Sequence, residues 1–268
     1  MPHDLAALRR LATRVALEAG DLLRAAGGPS AIETKRTAVD LVTDLDRQVE
    51  RLVVERLQAE RPHDAVLGEE SGAREGTSGV RWLVDPIDGT TNFVYGLPGY
   101  AVSIGAEVEG ERAVGVIHDV ALGETFAAHR GGGATLDGAP IRVRDASGLA
   151  SSLIGTGFSY DSGTRAQQSE VLRHVLPAVR DIRRRGAASL DLAWVACGRL
   201  DGFYEWDLGG LWDVGAGEVI VREAGGLVGS LEGVASALEL PAVVIAAHPA
   251  IFEPLRALLL EAGARWPR

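Results

Sequence analysis

Strands and helices are mixed along the whole chain, which predicts an α/β (α+β mixed) fold. Three patterns carry that reading. Apolar residues recur at helical spacing over residues 4–26 and again over 44–60. Short runs at 101–108, 113–118 and 124–128 are separated by Gly110 and Gly123, the pattern of a β meander. The second half then alternates short apolar strands with helices up to a closing helix. At 268 residues the chain fits one large domain or two small ones. A chain of that size buries about three quarters of its unfolded surface and needs no covalent staples.

In order, Leu5, Leu8, Ala12, Val15, Ala16, Ala19, Leu22 and Leu23 line one face of the first helix, and Gly27-Gly28-Pro29 ends it. In the second helix Val49, Leu52, Val53 and Leu57 point inward. Residues 80–84 are an apolar run, read as a buried strand. Gly131-Gly132-Gly133 reads as a hairpin loop and not a phosphate cradle, because no Gly-Lys-Ser/Thr follows. Beyond it, residues 152–155 predict a strand and 165–180 and 187–198 predict helices. A short strand is expected at 202–205 and a helix at 213–224, with Asp213 as its N-cap and Trp212 as a hydrophobic staple. A strand at 242–247 and a helix at 249–262 complete the chain. Gly155-Thr156-Gly157 is a lone Gly-x-Gly, better read as a tight turn than as a nucleotide fingerprint. No long linker or internal repeat appears, so one domain is expected, with halves of about 1–146 and 147–268 packed tightly together.

Composition narrows the function. The formal net charge of −10 argues against a nucleic-acid grip, which needs a positive face. A phosphorylated substrate stays open, because bound metal ions reverse the local sign. Cys197 is the single cysteine, which fits a reducing compartment. The first 24 residues carry Asp4, Arg9, Arg10, Arg14 and Glu18, so they read as neither a signal peptide nor a spanning helix. The expectation is a cytoplasmic protein with no membrane partner. Lys35 is the only lysine in an arginine-rich chain.

Residues 82–93, Trp-Leu-Val-Asp-Pro-Ile-Asp-Gly-Thr-Thr-Asn-Phe, concentrate the chemistry. Asp85, Asp88, Gly89 and Thr90 place two carboxylates, a flexible backbone position and a hydroxyl at the end of the apolar strand. Hard divalent cations take oxygen ligands, and Mg2+ usually sits between carboxylates and a substrate phosphate. Thr90-Thr91-Asn92 opens a helix whose free N–H groups suit an anion. Asp-Pro-x-Asp-Gly is also ordinary turn chemistry, so the segment alone does not decide. Three other segments bear on it. Glu69 and Glu70 follow the apolar pair Val66-Leu67 and lie sixteen residues before Asp85. Residues 40–46 contain Asp40, Asp44 and Asp46, which also suit a cap and first turn, with Thr43 or Asp44 capping. Trp212-Asp213 precedes Gly225-Gly226.

Together and in this order the four segments resemble the inositol monophosphatase family, the Mg2+-dependent, lithium-sensitive phosphatases. The resemblance covers nearly the whole chain. It implies a layered αβαβα sandwich of the inositol monophosphatase / fructose-1,6-bisphosphatase type and a homodimer. It implies two to three Mg2+ ions per active site. Glu69, Asp85 and the Ile87 carbonyl would hold the first; Asp85, Asp88 and Asp213 would hold the second; Glu69 would help place a third through water. Thr90 with Asp46 would orient the attacking water, and the Gly89 and Thr90 amides would receive phosphate oxygens. Asp88 and Asp213 would also face the substrate. Lys35 matches a loop lysine near the site. Ala188 and Glu205, within stretches resembling the family's substrate-binding region, would touch inositol hydroxyls.

Four clustered carboxylates are untenable without counter-ions, and three Mg2+ leave a net charge that matches a phosphate dianion. Two ions about 4 Å apart suit in-line displacement by activated water, so no histidine base and no phosphoenzyme are expected. The implied substrate is inositol 1-phosphate or a related polyol or sugar phosphate, since Thr91-Asn92-Phe93 matches that branch. Histidinol phosphate and fructose 1,6-bisphosphate are the enzymatic alternatives. An RNA- or transcription-associated binding role is the alternative of another class, and Arg183-Arg184-Arg185 is the one feature favouring it. The chain departs from the family at two places. One extra residue lies between Glu205 and Asp213, which leaves Asp207 open as the substrate contact instead, and Gly215 stands where a small alanine-type residue is usual.

Overall fold

The computed structural model describes residues 3–28, 31–35, 41–235 and 237–265. The first half runs α1 (Leu5–Ala26), β1 (Ile32–Thr34), β2 (Leu41–Thr43), α2 (Asp44–Glu60), β3 (Ala65–Gly68), β4 (Gly72–Arg74), β5 (Val80–Asp88), α3 (Thr90–Val94), β6 (Ala101–Val108), β7 (Glu111–Asp119), β8 (Glu124–His129), β9 (Ala134–Leu136) and β10 (Ala139–Pro140). The second runs β11 (Leu153–Thr156), α4 (Ser162–Val175), β12 (Asp181–Arg183), α5 (Ala188–Ala196), β13 (Gly202–Glu205), α6 (Leu211–Glu223), β14 (Leu227–Ser230), β15 (Gly233–Val234), β16 (Val244–Ala247) and α7 (Pro249–Glu261).

An eight-stranded sheet has the order β10-β9-β8-β7-β6-β5-β3-β4, and a six-stranded sheet the order β12-β11-β13-β16-β14-β15. The expected meander is its central part: β6, β7 and β8 pair antiparallel in sequence. Helices α1 and α2 cover one face of the large sheet. Helices α5 and α6 fill the space between its other face and the small sheet. Helices α4 and α7 cover the small sheet's outer face. The layers are therefore α, β, α, β, α, each interface closed by its own apolar cluster.

Local chemistry sets the helix ends. Asp4 caps α1 by accepting the Ala7 N–H at 2.9 Å, and Gly27 ends it in the left-handed conformation (φ 66°). Thr43 caps α2, and Asp46 reaches back to the Thr43 N–H at 2.7 Å to close a capping box. Close approach between layers depends on missing side chains. A Cβ on Gly105 would lie 3.1 Å from the Ala216 nitrogen, and one on Gly115 would run into the Ala216 carbonyl. Helix α6 thus sits directly on the backbone of β6 and β7, as Gly217 does against Leu192 of α5.

Several boundaries differ from the sequence reading. The strand expected at 80–84 continues to Asp88, with a register irregularity between Asp85 and Asp88. The helix expected at 165–180 is α4, starting at Ser162 behind the cap Asp161 and ending at Val175; Pro177 in the following turn has no N–H to extend it. Asp213 is not the cap of α6. Gly210 is the N-cap, Asp213 is the third residue of the helix, and Trp212 lies inside it instead of stapling from outside. The cause is that the Asp213 carboxylate accepts the Gly209 N–H at 2.6 Å and the Gly210 N–H at 3.4 Å, satisfying the helix start from within. Among the expected segments, Asp40 and Pro29 lie outside the described residues.

Candidate active site

The chemistry-bearing residues meet in a cavity of about 310 Å3. Its lining comes from both halves of the chain: Lys35, Glu69, Asp85, Ile87, Asp88, Gly89 and Thr90 from the first, Ala188, Glu205, Asp207 and Asp213 from the second. Asp46 is not part of the lining, but it accepts the Thr90 hydroxyl hydrogen bond at 3.2 Å from behind.

Sheet register brings the acids together. Strands β3 and β5 are parallel with Gly68 opposite Val84, and the Glu69 N–H donates to the Val84 carbonyl at 3.1 Å. Glu69 and Asp85 therefore leave adjacent strands at the same end. The bulge after Asp85 re-aims the chain, and the Asp85 carboxylate accepts the Ile87 N–H at 3.0 Å. Gly89 then turns left-handed (φ 91°), where a Cβ would lie 2.6 Å from the Gly99 carbonyl. Thr90 opens α3 and its hydroxyl also reaches the Ile87 carbonyl at 3.0 Å. Across the cavity, the Ser189 N–H at the start of α5 donates to Asp88 at 2.7 Å, tying that carboxylate to the second half.

The electrostatics are those of crowded, desolvated carboxylates. Asp85 is 2% exposed. Burial, with Glu69, Asp88 and Asp213 adding repulsion, holds its carboxyl well above the usual range. Burial also raises Asp213 well above its range, with Glu69 and Asp88 adding to it. Burial pushes Asp88 up to about 6 against the opposing Ser189 hydrogen bonds, and Asp46 up to about 6 against those from Thr43. Glu69 is raised by burial and partly relieved by Lys35, whose ammonium lies 2.8 Å from it and also pairs with Glu70. Burial works against charge on Lys35, but the two glutamates outweigh it and raise the lysine.

An oxygen-only donor set carrying this much buried negative charge suits a hard cation. Among the described residues no three His, Cys, Asp or Glu side chains already converge as a ready ligand group. The carboxylates surround the cavity, and Glu69 is turned toward Lys35.

Both open substrate candidates, Glu205 and Asp207, line the cavity, as does Ala188, the first residue of α5. Asp207 lies in the left-handed region (φ 65°), and its carboxylate accepts the Ser159 hydroxyl. Gly157 is fixed by packing, since a Cβ there would run into the Glu205 carboxylate. Gly215 has a packing reason, since a Cβ would run into Leu83. Trp206 is buried in the core, whereas Trp212 lines the cavity.

Sequence reasoning missed the wall formed by Phe158, Ser159, Tyr160 and Leu208, which belongs to no motif. It also missed Glu50, which is 2% exposed and accepts the Glu70 and Ser71 N–H groups at 2.8 and 2.7 Å, shaping the turn that carries Glu69. A glutamate among the inward positions of α2 was the available signal. The Arg183-Arg184-Arg185 run is divided. Arg183 pairs with Asp181, Arg185 stacks 3.5 Å over the Trp194 ring and reaches Asp119, and Arg184 lines the cavity.

Comparison with known proteins places the chain in a family. A model of the inositol monophosphatase family matches residues 4–263. The inositol-1-monophosphatase SuhB of Mycobacterium tuberculosis is 42% identical over 277 residues, covering 96% of this chain and 94% of the relative. The Nus factor SuhB of Escherichia coli is 39% identical over 227 residues, covering 83% and 85%. The solved structure of an inositol monophosphatase from Anabaena superposes with a TM-score of 0.85 at 34% identity, covering 97% of both chains.

Proposed function

Because this chain belongs to the inositol monophosphatase family, and so to the phosphoric monoester hydrolases, we propose that it is a Mg2+-dependent phosphatase of inositol 1-phosphate and related polyol or sugar phosphates. The observation that carries the reading is Asp85: a carboxylate 2% exposed, whose charge is disfavoured first by burial and then by three neighbouring acids, in a cavity lined by oxygen donors. The proposed holders of two to three Mg2+ are Glu69, Asp85, the Ile87 carbonyl, Asp88 and Asp213. Bound there, Mg2+ supplies the positive charge that offsets the phosphoryl oxygens and makes water acidic enough to attack.

The remaining roles belong to the chain itself. Asp46 accepts the Thr90 O–H. That leaves the Thr90 oxygen to accept a hydrogen bond from the attacking water and so orient it. The Gly89 and Thr90 amides open α3 with no carbonyl to serve inside the helix, and they are the proposed donors to the phosphate. Ala188 offers a small surface, and Glu205 and Asp207 offer oxygens, to the hydroxyls of a polyol. Lys35 lines the cavity with its ammonium 2.8 Å from Glu69, so it would compete with a cation for that carboxylate.

The homodimer and the cytoplasmic location implied by the resemblance belong to the same reading; among the described residues no helix is long and apolar enough to cross a membrane. The test is phosphate release from inositol 1-phosphate, histidinol phosphate, fructose 1,6-bisphosphate and 3′-phosphoadenosine 5′-phosphate, with and without Mg2+ and Li+. Preference for inositol 1-phosphate with inhibition by Li+ supports the proposal. Preference for another phosphate moves the substrate and keeps the chemistry. Mg2+-independent release overturns the metal reading, and absence of release from all four overturns the phosphatase reading and makes a binding role the one to pursue.

A further inference from the structure

We infer that Glu50, which sits on α2 outside the cavity, is a positioning residue for Glu69: its carboxylate clasps the two backbone N–H groups that follow Glu69 and so sets how tightly the proposed first Mg2+ is held. The inference rests on the proposed Mg2+-dependent reading and adds to it a determinant of metal affinity.

Residues 69–71 form the turn that leaves β3 and returns as β4. Each N–H of the turn has a partner. The Glu69 N–H donates to the Val84 carbonyl of β5 at 3.1 Å. The Glu70 N–H donates to one oxygen of Glu50 at 2.8 Å, and the Ser71 N–H to the other at 2.7 Å. Successive backbone N–H groups that converge make an anion-binding concavity. Here a buried carboxylate of the same chain fills it. Gly68 makes the room: a Cβ there would lie 2.7 Å from both Glu50 oxygens, so the carboxylate rests against the backbone at the end of β3. Hydrogen bonds to a carboxylate are roughly twice as strong as neutral ones. The backbone of Glu69 is therefore held on its N-terminal side by β5 and on its C-terminal side by α2, while its side chain lines the cavity.

The same helix serves a second segment of the site. Asp46 stands four residues before Glu50, on the same face of α2, and accepts the Thr90 hydroxyl at 3.2 Å. One helix thus gives the Glu69 turn and the Thr90 hydroxyl a common reference. Lys35 pulls on the same turn from the other side, with its ammonium 2.8 Å from Glu69 and paired also with Glu70. The Glu50 clasp limits how far the turn follows that lysine. A ligand carboxylate already in place loses less freedom when a cation arrives. Groups that orient metal ligands from behind typically govern metal affinity by roughly ten- to a hundredfold.

The test is Mg2+ titrated by calorimetry into the full chain without substrate, read beside the Mg2+ dependence of phosphate release from inositol 1-phosphate. Glu50→Gln keeps the size of the side chain but replaces one acceptor oxygen with a donor, so one of the two N–H groups loses its partner. It is expected to raise the Mg2+ concentration for half-saturation roughly tenfold in both measurements, with kcat at saturating Mg2+ within about threefold of wild type. Gly68→Ala keeps the carboxylate but pushes it off the turn; it is expected to shift Mg2+ binding the same way, and it carries the test if Glu50→Gln does not fold. The double variant Glu50→Gln/Glu69→Gln is expected to bind Mg2+ no more weakly than Glu69→Gln alone, because Glu50 acts through Glu69; a general loss of structure gives additive losses instead. Wild-type Mg2+ binding by Glu50→Gln, or by Gly68→Ala where only that variant folds, overturns the inference and leaves the phosphatase reading standing, as do additive losses in the double variant. Absence of both Mg2+ binding and Mg2+-dependent release in the wild type overturns the two together.

Discussion

Replacing Glu205 with glutamine is expected to stabilise the metal-free protein by an amount that grows with pH. Burial, reinforced by Asp191 and opposed by Arg184, pushes the Glu205 carboxyl up to about 8 from 4.5. In the unfolded chain the same group ionises near 4.5. Between those values the folded state keeps a proton that the unfolded state has lost, so stability falls as pH rises through the window and levels off above about 8. Glutamine has no such proton and escapes the loss. At pH 7 the span is about two and a half units at ~1.4 kcal/mol each, or about 3 kcal/mol. The side chain keeps some solvent access, which screens the penalty, so ~1–3 kcal/mol is the expectation. Urea unfolding of wild type and Glu205→Gln in EDTA, from roughly pH 5 to pH 8, measures it. The two curves should nearly coincide at the acid end and diverge toward neutral pH. A difference that stays flat across the range, or that favours wild type near pH 8, refutes the placement of an isolated, desolvated carboxyl beside Asp191.

Three further expectations follow from the same geometry. Asp88→Asn should lower kcat by at least about two orders of magnitude, because the negative charge that Ser189 positions is lost from the proposed ion site; an unchanged rate at saturating Mg2+ removes Asp88 from the ligand set. Asp213→Asn should keep α6 folded, since the amide oxygen still accepts from Gly209, while raising the Mg2+ concentration needed for half-maximal activity; a wild-type Mg2+ titration counts against the second ion position. Gly115→Ala, far from the cavity, should cost roughly 3 kcal/mol or more and lower Tm on the order of 10 °C, because the new methyl meets the Ala216 backbone and not a side chain that can move. Thermal melting followed by circular dichroism checks it, and an unaltered Tm contradicts the direct seating of α6 on β7.

Local signals carried much of the fold. Helices α1 and α2 were legible because their apolar periodicity and caps are written in neighbouring residues, Asp4 and Gly27 for one, Thr43 and Asp46 for the other. The meander was legible from alternating short runs and left-handed glycines at 110 and 123. The short strands β1, β2, β4, β9, β10, β12, β14 and β15 were not. Each has four residues or fewer, too short to show a period, and exists through its pairing with another strand. The role of Asp213 was also misplaced, because a carboxylate that serves a helix start from its third position looks in sequence like one that precedes it.

By itself the sequence determined the chemical inventory: four acids, a threonine and a glycine in motifs whose order identifies the family. Tertiary structure alone decided how those charges are weighed. Asp85 and Asp213 are raised well above the carboxylate range because sheet register and α6 bring them into one desolvated space, and no local pattern records that proximity. The fold likewise decided where each of three adjacent arginines goes, Arg183 to Asp181, Arg185 to Asp119 and Trp194, and Arg184 to the cavity. Pairing energies depend on distance and solvent exclusion, and both are set only when separate elements pack.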